Sequence, residues 1–185
     1  STIIAYNSEK TKGVDSIEDF FDLEAFPGKR GLRKSAKLTM ELALMADGVD
    51  PADLYDVLGT PEGVERALAK LDTIKPEIVW WEAGAQPPQL LADGEVTMTT
   101  AYNGRIFNAM IEEKQPFEIL WKNQILDFNL YVIPRGAPNK EAAWEFIKFA
   151  TDTQRLADQA SYISYGPTRK SSVALVGLFK DGKTQ

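Results

Sequence analysis

Cysteine and histidine are both absent from these 185 residues. Without cysteine there is no disulfide, no thiol nucleophile and no thiolate metal site. Without histidine the commonest general base and the commonest zinc ligand are missing, so neither a Ser-His-Asp nor a Cys-His arrangement can be built from this chain. No apolar run nears the ~20 residues that a bilayer-spanning helix needs. No leader pattern is visible, a condition that the mature form of an exported protein shares. Positive charge is in the minority. The net charge of -6 disfavours nucleic acid, whose binding needs a basic surface. What remains is ordinary: 44% apolar and 26% charged residues, enough to bury a real core.

Helix-like and strand-like runs alternate along the chain, which predicts a layered α/β fold. Residues 1–6 read as a strand that starts without a cap or leader, as though cut from something longer. A short helix over 16–23 is broken by Pro27-Gly28. From Ser35, the spacing of Leu38, Met40, Leu42, Leu44 and Met45 predicts a helix that stops at Asp47-Gly48. Asp50-Pro51 and Thr60-Pro61 each place a capping residue before a proline and predict two further helices. A strand over 78–81, a short helix over 89–92 and a strand over 95–102 follow. Asn103 then caps a helix to about Glu113, and 117–121 and 125–133 read as strands, the second as a fully buried one. Asn139 begins the longest helix, with Ala143, Phe146, Ile147 and Ala150 as its apolar stripe, and another helix covers about 153–160.

Two charged residues beside the strand-like runs carry the functional information. Asp127 interrupts Ile125 to Ile133, and a carboxylate buried there needs a cation. Arg105 follows a strand and Gly104, where its planar fork can grip an anion. Together they suggest a pocket for a small molecule with an ammonium at one end and a carboxylate at the other.

Several stretches in fixed order extend this. They are Trp80-Trp81-Glu82-Ala83-Gly84-Ala85-Gln86, Asp93-Gly94-Glu95-Val96, Tyr102-Asn103-Gly104-Arg105, Ile133-Pro134-Arg135-Gly136-Ala137-Pro138, and Tyr165-Gly166-Pro167-Thr168. In this order the chain resembles the periplasmic solute-binding proteins of ABC transporters, of the spermidine/putrescine-binding type, with a γ-aminobutyrate-binding relative in view. The resemblance implies a type II periplasmic-binding fold of two α/β lobes with the ligand in the cleft between them. It further implies that residues 1–7 are a first crossing strand and 8–126 the second lobe. Residues 127–185 are then a crossing strand and helices returning toward a first lobe that is mostly absent. A fragment of this kind is expected to self-associate, because Trp144, Phe146, Ile147 and Phe149 would otherwise face water.

The same resemblance assigns the candidate ligand residues. Asp127 falls where polyamine binders receive an amine; the alternative is a surface aspartate or a lysine's partner. Arg105 departs from the small residue usual there and suits a carboxylate; the alternative is a solvated arginine in a first helical turn. Where polyamine binders hold the distal amine with an acid, Arg33-Lys34-Ser35-Ala36-Lys37-Leu38 is basic, which argues against spermidine and putrescine. Ser35 is there to donate to a carboxylate or to cap the helix. Tyr102 and Tyr165 are aromatic walls or core. Trp80 and Trp81 face opposite ways, so one is core and one reaches the cleft; Trp81 is the candidate, with Gln86 in the loop after it. No catalytic residue, metal or cofactor is assigned.

The leading expectation is therefore capture of a zwitterion such as γ-aminobutyrate in the periplasm and its delivery to a membrane permease. A polyamine is the alternative ligand. Ferric-ion binding lacks adjacent tyrosines and a histidine. The effector domain of a transcription regulator and an enzyme on the same fold are the alternatives from other classes.

Overall fold

The computed structural model describes residues 1–184, which divide into two compact units, Ser1–Leu126 and a second from Asp127 onward. The first unit runs β1 (Thr2–Asn7), α1 (Ile17–Phe21), β2 (Arg30–Arg33), α2 (Ala36–Ala46), α3 (Leu54–Leu58), α4 (Pro61–Asp72), β3 (Ile78–Trp81), α5 (Gln86–Ala92), β4 (Met98–Tyr102), α6 (Asn103–Ile111) and β5 (Phe117–Ile125). Its strands form one mixed sheet in the order β3-β2-β4-β1-β5. Strand β2 is parallel to β3 and β4, whereas β1 is antiparallel to β4 and β5.

Alternation along β1 explains the layers. Ile4 and Tyr6 join Leu32, Met98 and Leu120 beneath α1 to α4, where Phe20, Leu42, Leu44 and Ala67 are buried. Ile3 and Ala5 belong to a second cluster with Leu91 of α5 and Ile106 and Ala109 of α6. Covered on both faces, β1 is buried from end to end. Local signals set several helix starts. Ser16 and Asp19 form a reciprocal capping box, and Thr60 accepts from the Gly63 N–H with Pro61 just inside the helix.

Strand β2 has no counterpart in the sequence pattern, because Arg30-Gly31-Leu32-Arg33 offers one large apolar residue in four. It lies between β3 and β4 nonetheless. Arg30 is 0% exposed. Its guanidinium donates to the carbonyls of Phe20 (2.7 Å), Gly28 (2.6 Å), Asp22 (3.0 Å) and Phe26 (2.5 Å). Burial draws its pKa below the ordinary value, while the charges of Asp22 and Glu77 oppose that shift. Gly31 is required by close approach, since a Cβ there would lie 2.1 Å from Thr99 Oγ1.

Four expectations need correction. Asp50-Pro51 makes a turn, with the Asp50 carboxylate accepting from Ala52 N–H at 2.8 Å, and the helix begins only at Leu54. The helix expected from Ser35 is interrupted: Lys37 (φ -58°, ψ 131°) and Leu38 (φ 73°, ψ -33°) are non-helical, and Ser35 makes no side-chain capping bond. Asn103 does not cap α6 but occupies its first turn, after Tyr102. Strand β5 runs unbroken over Phe117–Ile125, whereas the stretch expected to be a buried strand, 125–133, leaves the sheet at once. Leu126, Phe128, Leu130, Tyr131 and Val132 are all exposed. An apolar run becomes a buried strand only where ladder partners exist, and this segment has none among the described residues.

The second unit contains α7 (Lys140–Ala150), α8 (Thr153–Ala160) and α9 (Lys170–Val173). Tyr131 meets Phe146 edge-on at 6.0 Å, and the Arg155 guanidinium lies 3.5 Å from the Phe149 ring centre. The Asp152 carboxylate caps α8 through the N–H groups of Gln154 and Arg155. Helix α7 contributes no buried residue. Among the described residues no helix is long and apolar enough to cross a membrane.

Candidate functional site

In the first unit the parallel strands β2, β3 and β4 end at one edge of the sheet, and the loop after each one opens there. Open α/β sheets bind ligands at such carboxyl ends. Register brings a fourth segment to the same edge, since Tyr102 pairs with Thr2 and Thr2 pairs with Ile125. The end of β5 therefore lies at the same edge, with β1 between it and β4.

The loop after β2 is held by its neighbours. Lys34 N–H donates to the Trp81 carbonyl (2.9 Å), and the Thr39 hydroxyl donates to the Arg33 carbonyl (3.2 Å). Leu38, in the left-handed region, completes a turn that glycine would take without strain. Ser35 is half-buried at this edge with no capping bond. Its surroundings are less uniformly positive than the sequence suggests, because Glu82 from the loop after β3 reaches Lys34 Nζ at 3.2 Å. Both partners are well exposed, so the pair contributes little to stability and chiefly moderates local charge.

The loop after β3 is closed by Gln86, whose Oε1 accepts from Glu82 N–H (2.8 Å) and Ala83 N–H (2.7 Å). Its side-chain carbonyl is thus engaged in holding the loop. Trp80 and Trp81 face opposite ways, but Trp81 is the one in the core, 1% exposed, while Trp80 is 47% exposed. Trp81 touches the Tyr102 ring edge-on at 5.7 Å. The Trp81 Nε1–H has no hydrogen-bond partner among the described residues.

Tyr102 is half-buried at the end of β4, and α6 begins immediately after it. Asn103 Oδ1 accepts from the Ser1 nitrogen at 2.8 Å, which fixes the start of α6 against the start of β1. Arg105 stands exposed in the first turn, and among the described residues its guanidinium has no hydrogen-bond or ion-pair partner. The unsatisfied amides of that turn add partial positive charge.

Five of the candidates, Ser35, Trp81, Gln86, Tyr102 and Arg105, thus come from the ends of three parallel strands and the segments that follow them. Asp127 and Tyr165 belong to the second unit. Asp127 is exposed in irregular chain, not enclosed in a buried strand, and Tyr165 is 37% exposed between α8 and α9. Sequence marks Lys34 as part of a basic stretch and Gly84 as part of the loop after Trp81, but it does not announce the Lys34–Glu82 pair or the approach of Gly84 to Tyr102. Among the described residues no group of three or more Asp or Glu side chains is arranged to hold a metal ion. A recess lined by Asn7, Lys10, Phe26 and Thr97 lies at the opposite edge and contains none of the candidates.

A family model described as bacterial extracellular solute-binding protein matches residues 1–183. A γ-aminobutyric acid-binding protein of Pseudomonas aeruginosa is 50% identical over 177 residues, covering 95% of this chain and 50% of its own length. The chain thus spans about half of that relative. A solved GABA receptor superimposes with a TM-score of 0.79 at 36% identity, over 96% of this chain and 54% of its own. The binding protein MotA from A. tumefaciens B6, in complex with glucopine, gives a TM-score of 0.82 at 29% identity, over 98% of this chain and 58% of its own.

Proposed function

Because this chain belongs to the bacterial extracellular solute-binding protein family, we propose that it forms part of the substrate-binding component of an ABC importer, capturing a small zwitterion such as γ-aminobutyrate. Arg105 carries this proposal. A guanidinium that has no partner among the described residues, at the start of a helix on the carboxyl edge of parallel strands, suits a carboxylate and repels a diamine. The P. aeruginosa relative, named for γ-aminobutyrate, supports the same ligand class. Tyr102 lines the crevice beside Arg105, and Ser35 offers its hydroxyl. Asp127 is assigned to the ammonium from its sequence context and its family position. No bond of the ligand is made or broken.

The protein works in the periplasm and hands its ligand to a membrane permease. The uncovered face of α7 supports self-association of this chain when it stands alone. Spermidine/putrescine-type structures match at 18% and 24% identity, which speaks for the fold alone. A thermal-shift screen of ω-amino acids and polyamines, on the polypeptide that carries this chain, tests the assignment. A ligand that binds only the folded state raises the melting temperature by mass action. γ-Aminobutyrate is expected to raise it and putrescine is not; a rise with polyamines alone rejects zwitterion capture.

A further inference from the structure

In the loop after β3, Gly84 lies against the ring of the crevice aromatic, Tyr102. A Cβ at this position would lie 2.7 Å from both Cδ2 and Cε2 of Tyr102. That is about 1 Å inside ordinary van der Waals contact between carbons. The backbone of Gly84 is not in the left-handed region, so conformation alone would admit alanine. Close approach of the ring is what excludes a side chain here.

The loop has little freedom to retreat. Gln86 Oε1 holds two of its amides, and the Gln86 N–H donates back to the Ala83 carbonyl at 2.9 Å. The ring also meets Trp81 edge-on at 5.7 Å, and Trp81 is buried in the core. Tyr102 therefore has a braced loop and a buried indole as neighbours, and an atom added at position 84 is accommodated by turning the ring.

We propose that Gly84 is a positioning residue for ligand recognition: the absence of a side chain there sets the pose of the Tyr102 ring, and the pose sets which ligand length the crevice accepts. This rests on the zwitterion reading above, in which Tyr102 forms one wall of the site. Gly84→Ala swings the ring, alters the space beside Arg105, and changes the balance between γ-aminobutyrate and the shorter β-alanine.

The test is a cycle of Gly84→Ala, Tyr102→Ala and the double variant, in the polypeptide that carries this chain. Near-ultraviolet circular dichroism without ligand reports the Trp81–Tyr102 pair, and calorimetry reports binding. Gly84→Ala is expected to change the aromatic signal, to weaken γ-aminobutyrate about tenfold, and to change its affinity ratio to β-alanine. The weakening should vanish in the Tyr102→Ala background, which a merely structural role for Gly84 would not produce. Equal weakening in both backgrounds, or an unchanged aromatic signal, overturns the proposal and leaves zwitterion capture standing. A changed signal in a protein that never binds γ-aminobutyrate supports the Gly84–Tyr102 contact and overturns zwitterion capture instead.

Discussion

Replacing Asp127 by alanine is expected to weaken γ-aminobutyrate binding by about 2–5 kcal/mol, the usual cost of removing one partner of a desolvated charge pair. An ammonium taken out of water keeps its charge only beside a carboxylate or several strong acceptors. Asp127 is exposed and outside the sheet, so its loss should shift the unfolding midpoint far less than it shifts affinity. Asp127→Asn keeps the shape and most of the hydrogen-bonding capacity but removes the charge, and it should lose nearly as much. Calorimetry on both variants decides the matter. Unchanged affinity in Asp127→Ala rejects the ammonium role.

The second large effect concerns the fold. Arg30→Leu should destabilise the protein by about 3–5 kcal/mol, because it leaves buried acceptors without donors. Four backbone carbonyls, those of Phe20, Asp22, Phe26 and Gly28, now depend on one guanidinium. Leucine fills part of the volume and supplies no N–H. Arg30→Lys keeps the charge but cannot present the planar fork, so it should fall between the two. Denaturant titration should show a lower midpoint at unchanged slope. A midpoint equal to that of the parent protein would mean that the loop from Phe20 to Gly28 is held by something other than Arg30.

These two residues also show what could be read beforehand. Asp127 and Arg105 stand out in sequence because a charge beside an apolar run is costly unless it has a purpose. Arg30 does not stand out. Its value depends on four carbonyls that come together only when the chain folds, and no local pattern announces them. Strand β2 was illegible for the same reason: two arginines and a glycine resemble a loop until the sheet encloses them. By contrast β3, α8 and the stop at Asp93-Gly94 rest on local signals, and they lie where those signals put them. The stretch after Leu126 misled in the other direction. Its apolar residues satisfy the pattern of a buried strand, but pattern cannot supply a neighbour. In the crevice, the Gly84–Tyr102 contact and the Lys34–Glu82 pair join loops far apart in sequence, and neither pairing leaves a periodic trace.

Recognition of both ends of one small molecule is the central claim, and calorimetry with single-charge analogues tests it most directly. On the polypeptide that carries this chain, γ-aminobutyrate should bind measurably. Putrescine, which replaces the carboxylate with a second ammonium, and butyrate, which lacks the ammonium, should each bind at least about a hundredfold more weakly, since each loses a charged contact of about 3 kcal/mol. Putrescine binding as tightly as γ-aminobutyrate, or more tightly, would contradict the assignment of Arg105 to a ligand carboxylate and with it the account of this crevice.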